Sequence, residues 1–431
     1  GMEGAGNSSE LLDDCYYMGT DHLAVKIWLV GVVAVSVCAL SACFNSFFAI
    51  VFFMNPELRR TAVFYFGVIA LIDILMAVNY VALIAIPVYM DFYSWEWIYE
   101  PFVHSVNVLL TETNTAMFAS MLLILAATTE RLLRTFHSPN VIGVRKNLLD
   151  DHFIGLSIFL NQTRRPGYLK KIRRVRKFLE KNRPVVCVCC VLSAILYKAT
   201  SVFEVTFVEK ENCQGFAHYE IVPGWLALIP WYQWWWMFVT RNVIDRISPF
   251  FILVAMNFLI IRALKKEYHK QVTQPKMSMT DSEWRNSQQS RSSLRDATRA
   301  LISLVSLYLM SQSLQVMVTF WEAIDRVSLE TNHALLYSYL NDVISILPLI
   351  ASCVRFPVYC SCNQHIYNAS RQTLSTISGS FKFPPIPLKY LRMSKSSPPI
   401  AAGKASDPLC PSSTEEAVVD VSEDSEQEWQ L

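Results

Sequence analysis

The chain has 431 residues, of which 52% are hydrophobic and only 17% charged, and its formal net charge is +2. Soluble domains carry about 25% charged residues, so an ordinary soluble globular domain is excluded. The charges are confined to a few stretches, and between them lie apolar runs of the roughly 20 residues needed to cross a bilayer.

Seven such runs follow in chain order: 24–53, 62–90, 102–130, 185–207, 236–264, 297–320 and 334–359. The fifth is the weakest, because Arg241, Asp245 and Arg246 interrupt its outer half. On a count of six, 225–245 becomes a re-entrant or surface segment. The expected fold is all-α: a seven-transmembrane-helix bundle within 24–375, with a short amphipathic helix from Asn363 to about Leu374 after span seven.

The loops fix an expected orientation. The tail 1–23 holds five acids and neither Lys nor Arg. Arg59 and Arg60 follow span one, whereas the loop after span two has only acids (Asp91, Glu96, Glu100). The long loop 132–184 carries thirteen Lys/Arg against three acids, and Lys265, Lys266 and Lys270 follow span five. By the positive-inside rule the N-terminus lies outside and the C-terminus inside. The polar first residues lack a cleavable-signal pattern, so span one is expected to act as its own insertion signal.

Within the basic loop, Arg164 to Arg183 places Tyr168, Leu169, Ile172, Val175, Phe178 and Leu179 at helical spacing. It reads either as a basic amphipathic helix on anionic lipid or a calmodulin-type target, or as an extension of span four. The polar loop 267–296 is expected to be flexible and the tail 376–431 disordered. Trp95, Trp97, Trp225, Trp231, Trp234, Trp235 and Trp236 read as outer-interface anchors, or alternatively as an aromatic lid. Cys15 and Cys213 are the two cysteines expected outside, where they are able to oxidise together. Cys360 and Cys362 lie at the inner edge of span seven, where palmitoylation occurs. Asn7 is a glycan acceptor candidate on the outside.

The most informative motif is Glu130-Arg131 at the inner end of span three. Ionisable groups near hydrocarbon are costly and mark function. Seven spans with this pair resemble a rhodopsin-like G-protein-coupled receptor, over about residues 24–375. Asn45, Ile69-Ala70-Leu71-Ile72-Asp73, Ser120, Pro249 and Arg355-Phe356-Pro357-Val358-Tyr359 fall on the family's patterns. Phe44 replaces a usual glycine, and span four has no tryptophan. Val106 stands where the family has its span-three cysteine. Span six has Gln312 and Leu314 in place of a tryptophan and a proline, and without that proline the helix is expected to be straighter. Pro249, Asn257 and Gln312 are similar to invertebrate or nematode peptide receptors of the FMRFamide and myosuppressin type.

The resemblance implies that Glu130, Arg131, Asn257 and Tyr359 form the G-protein switch, with Arg131 paired to Glu130 at rest. It implies a buried polar network of Asn45, Asp73, Ser120 and Arg355. Related receptors hold sodium there; here Arg355 is expected to pair bidentately with Asp73 instead, or else to snorkel toward the cytoplasm. It implies a ligand pocket of Thr113, Asn114, Met117, Arg241, Asp245, Gln312, Gln315, Thr319, Glu322, Asn341 and Asp342. Thr113 replaces the aspartate that binds amines, so the expected ligand is a peptide with a charged side chain or an amidated end. Arg241 and Asp245, four apart, are alternatively an internal pair.

The expected function is a neuropeptide receptor of the plasma membrane that couples to a heterotrimeric G protein, with arrestin recruited to a phosphorylated tail. The alternatives are a chemosensory receptor for a small molecule, or an orphan that no longer signals. No internal repeat suggests a transporter. Cys187-Val188-Cys189-Cys190 has no histidine nearby to make a catalytic or metal cluster, so no enzyme, cofactor, metal or nucleic-acid role is expected.

Overall fold

The computed structural model describes Cys15, Tyr17 and residues 19–136, 166–273 and 281–378. Asn7 and the tail from 379 onward lie outside the described residues. Seven helices are long and apolar enough to cross a membrane: Leu23–Met54, Val63–Tyr93, Glu96–Thr135, Arg183–Phe203, Tyr232–Ala263, Thr298–Asp325 and Ala334–Cys362. These are spans one to seven of a multi-pass membrane protein. Lipid offers the backbone no hydrogen-bond partners, so uninterrupted apolar segments satisfy themselves as helices.

Span three lies at the centre, against spans two, four, five and six, while span seven closes the ring against spans six and one. The main core fills one end of the bundle with large side chains from six spans, including Phe48, Tyr65, Ile124, Leu253, Leu304 and Tyr359. Tyr359 stacks on Phe66 with ring centroids 4.7 Å apart.

Two segments differ from the sequence reading, and a third decides between two readings. Span four ends at Phe203, and the chain then forms an antiparallel hairpin, β1 (Val205–Glu209) with β2 (Tyr219–Pro223). Gly215, in the connection, adopts φ +64°, a conformation costly for residues with a Cβ. Second, the loop expected to be flexible over 267–296 is helical on both sides of 274–280. The helix carrying span six begins at Asp281 and passes unbroken through Gln312 and Leu314; its one non-helical residue is Asp325. This agrees with a ladder that no proline interrupts. In the basic loop, Pro166–Lys181 forms its own helix before span four begins at Arg183, which agrees with the separate-helix reading and not with an extension of span four.

The hairpin is held from two sides. Cys15 and Cys213 are disulfide-bonded at a sequence separation of 198. Tyr17 donates to Asp91 Oδ1 at 2.8 Å, and the Tyr99 hydroxyl donates to Tyr219 O at 2.7 Å. Burial and the neighbouring Asp91 carboxylate together push the Tyr17 phenol well above its usual range. Closing so long a loop removes much denatured-chain entropy. Reduction, or Cys213→Ser, is expected to cost roughly 2–4 kcal/mol. Thermal unfolding of the purified protein checks this, and Cys15→Ser should match Cys213→Ser because each opens the same loop.

Candidate functional site

Two adjoining cavities open among spans three, five, six and seven. The first, about 260 Å³, is lined by Asn114, Met117, Ser120, Arg241, Asp245, Tyr308, Gln312, Gln315 and Arg355, among others. The second, about 320 Å³, is lined by Thr319, Glu322, Tyr337 and Asn341. Met237, Asn242, Arg246 and Gln315 line both and form the wall between them.

Nine of the eleven expected pocket residues therefore line one cavity or the other. Thr113 does not, and its hydroxyl is spent on Leu109 O at 2.8 Å. Asp342 does not either; its carboxylate lies 3.9 Å from Lys26 Nζ. No tryptophan lines either cavity. Trp225, Trp231, Trp234 and Trp235 are exposed, which fits interface anchors rather than a lid.

The charges in the first cavity are wired across helices. Arg241 and Asp245 do not pair with each other. Arg241 donates to Glu204 and to Ser201 Oγ, and Tyr232 OH also donates to Glu204, at 2.5 Å. Asp245 accepts from Lys198, whose ammonium also lies over the Phe118 and Tyr197 rings. Lys198, Glu204 and Arg246 were not among the expected site residues. Lys198 and Glu204 stand out only as charges ending an apolar run. Arg246 reaches the cavity because Tyr232–Thr240 and Asn242–Ile247 are wound wide, with i→i+5 bonding. Such winding brings residues five apart onto one face, so Arg246 joins Arg241 there.

At the first cavity's floor Arg355 meets Asp73. Nη1 of Arg355 donates to Oδ1 at 2.7 Å and to Oδ2 at 2.5 Å. One nitrogen spans both oxygens, where a two-nitrogen fork was expected. Both residues are almost wholly buried, so Arg355 does not snorkel. Asn45 lies in a neighbouring cluster, donating to Ser41 O at 2.9 Å and Ser352 Oγ at 3.1 Å. Ser120 faces the cavity that Arg355 also lines.

No family model matches the chain, and no curated protein matches it. The case for function rests on the site itself.

At the C-terminal end of span three the wiring departs from expectation. Glu130 is fully buried, and its partners are Arg183 and Arg134 rather than Arg131. Arg183 donates from Nε at 3.1 Å and Nη2 at 2.8 Å, and its Nη1 donates to Arg60 O at 2.6 Å. Arg134 donates to Glu130 Oε1 at 2.8 Å and also lies 2.8 Å from Glu180 of the helix Pro166–Lys181. The reason is geometric: adjacent residues on a helix do not share a face, whereas residues four apart do. Arg131 is left buried, with Nη1 lacking a hydrogen bond. Asn257 Oδ1 and the Tyr359 hydroxyl are likewise buried without partners. Cys360 and Cys362 are free, half-buried thiols.

Proposed function

We propose that this protein is a G-protein-coupled receptor of the plasma membrane, with its N-terminus outside, that passes ligand binding to a heterotrimeric G protein. The observation that carries the reading is the layering along span three. Its cavity-lining residues end at Met121, and Glu130 follows nine residues later, about 14 Å further along the helix. A charged cavity thus stands at one level and a buried Glu-Arg-Arg cluster at another, on one rigid element. Unpartnered buried polar atoms on Arg131, Asn257 and Tyr359 suit groups that find partners in a second arrangement of the bundle. A ligand shifts such an equilibrium only by its differential affinity for the two states.

A peptide is the ligand read first, because the cavity walls are charged and the hairpin offers further surface outside. A small molecule is the second reading, favoured by the modest volume of the two cavities. Screening free-acid peptides, amidated peptides and small odorants in cells that report G-protein activation separates the two. Arg131→Ala is expected to abolish the response at unchanged surface expression. A full response from this variant would remove the proposed switch.

A further inference from the structure

The charges around the cavities balance in number, four cations against four acids, but the last cation, Arg246, and the last acid, Glu322, are not in direct contact. Arg355 is matched by Asp73, Arg241 by Glu204 and Lys198 by Asp245. Arg246 is not matched: its Nη1 donates to Asn242 Oδ1 at 3.2 Å and Thr319 Oγ1 at 3.1 Å, both neutral oxygens. Glu322, the remaining acid on the cavity walls, accepts from Tyr337 OH at 2.6 Å and makes no ion pair with Arg246. Glu322 and Asp245 act on Arg246 only through space, and an arginine inside a membrane helix bundle with no carboxylate hydrogen-bonded to it is expensive. Its place in the wall shared by the two cavities leaves its fork open to whatever fills them.

We propose that Arg246 is the anchor for a carboxylate of the ligand, held by a charge-assisted fork between spans five and six. The proposal rests on the receptor reading and sharpens it. A ligand with an amidated end is neutral there and leaves the guanidinium unmatched, so the bound group is a free acid. A planar carboxylate matches the guanidinium geometry. The acid is either the free C-terminus of a peptide or the carboxyl of a small organic acid, and both present the same chemistry. Arg241, the arginine first expected to contact ligand, instead braces span five against the end of span four through Glu204 and Ser201.

The test uses purified full-length protein and thermal unfolding, with no G protein present. One arm is a pool of short peptides without Asp or Glu, made as free acids and as amides. The other is a set of arylalkanoic acids beside their carboxamides. The expected result is stabilisation by acids and not by amides in one arm, and which arm responds identifies the source. Arg246→Gln should raise the half-saturating concentration about tenfold or more, as loss of a charged hydrogen bond implies. Arg246→Lys, which keeps the charge but not the fork, should fall between, and it covers the case in which the glutamine variant misfolds. Equal behaviour of acids and amides, absence of any shift included, overturns the proposal, as does acid selectivity that survives in Arg246→Gln. Acid binding without G-protein activation in cells would remove the receptor reading alone.

Discussion

Arg355→Met is expected to destabilise the protein by about 3–5 kcal/mol, because it strands a buried carboxylate. Asp73 and Arg355 are the deepest charge pair of the bundle, and a single guanidinium nitrogen serves both carboxylate oxygens. Removing either partner alone leaves the other ionised in a medium that solvates it poorly. Removing both as Asp73→Asn with Arg355→Gln leaves two neutral groups able to hydrogen-bond each other. This double variant should lie closer to wild type than either single one. A double-mutant cycle on unfolding temperatures measures the coupling, and additive losses would mean that the two residues do not act as a pair. The pair also predicts an ion response. Because the Arg355 guanidinium already occupies both Asp73 oxygens, exchanging sodium chloride for choline chloride should leave wild-type unfolding unchanged. In Arg355→Asn the freed Asp73 should make sodium stabilising.

The second large effect is at Glu130. Arg183→Gln removes two of the donors that satisfy the buried carboxylate and one that holds Arg60 O. A cost of about 3–5 kcal/mol is again expected, moderated by Arg134, which remains. If the cluster holds span three in its resting setting, ligand-independent G-protein activation should rise in the same variant. Unfolding temperature and basal reporter signal are read side by side. Lowered stability with an unchanged basal signal would make the cluster purely structural.

What the sequence makes legible follows from the solvent. Hydrocarbon penalises polar groups so strongly that each span is visible as an apolar run, and the ends of the apolar membrane-crossing segments fall within six residues of the expected ones, although the helix carrying span six starts well before its apolar part. The same penalty makes Asp73 and Arg355 conspicuous, since opposite charges in neighbouring apolar helices gain most by meeting. The hairpin was not legible. Val205–Glu209 continues the apolar character of span four, and five residues carry too little periodicity to tell strand from helix. The partners of Glu130 were not legible either, because Arg183 lies 53 residues away among many similar basic side chains. Arg246 was missed for a different reason. Placing residues by a regular helical repeat assumes ordinary winding, and the wide turns of span five break that assumption.

Through Glu130 and Arg60 O, Arg183 ties span three, span four and the loop between spans one and two together, and Arg134 extends the tie to the helix Pro166–Lys181 through Glu180. At this end of the bundle spans three and four are thereby held as one piece, and none of these bonds reaches spans five to seven. An engineered cross-link between spans three and four at this level should leave signalling intact. A single cross-link from span three to span six should stop it.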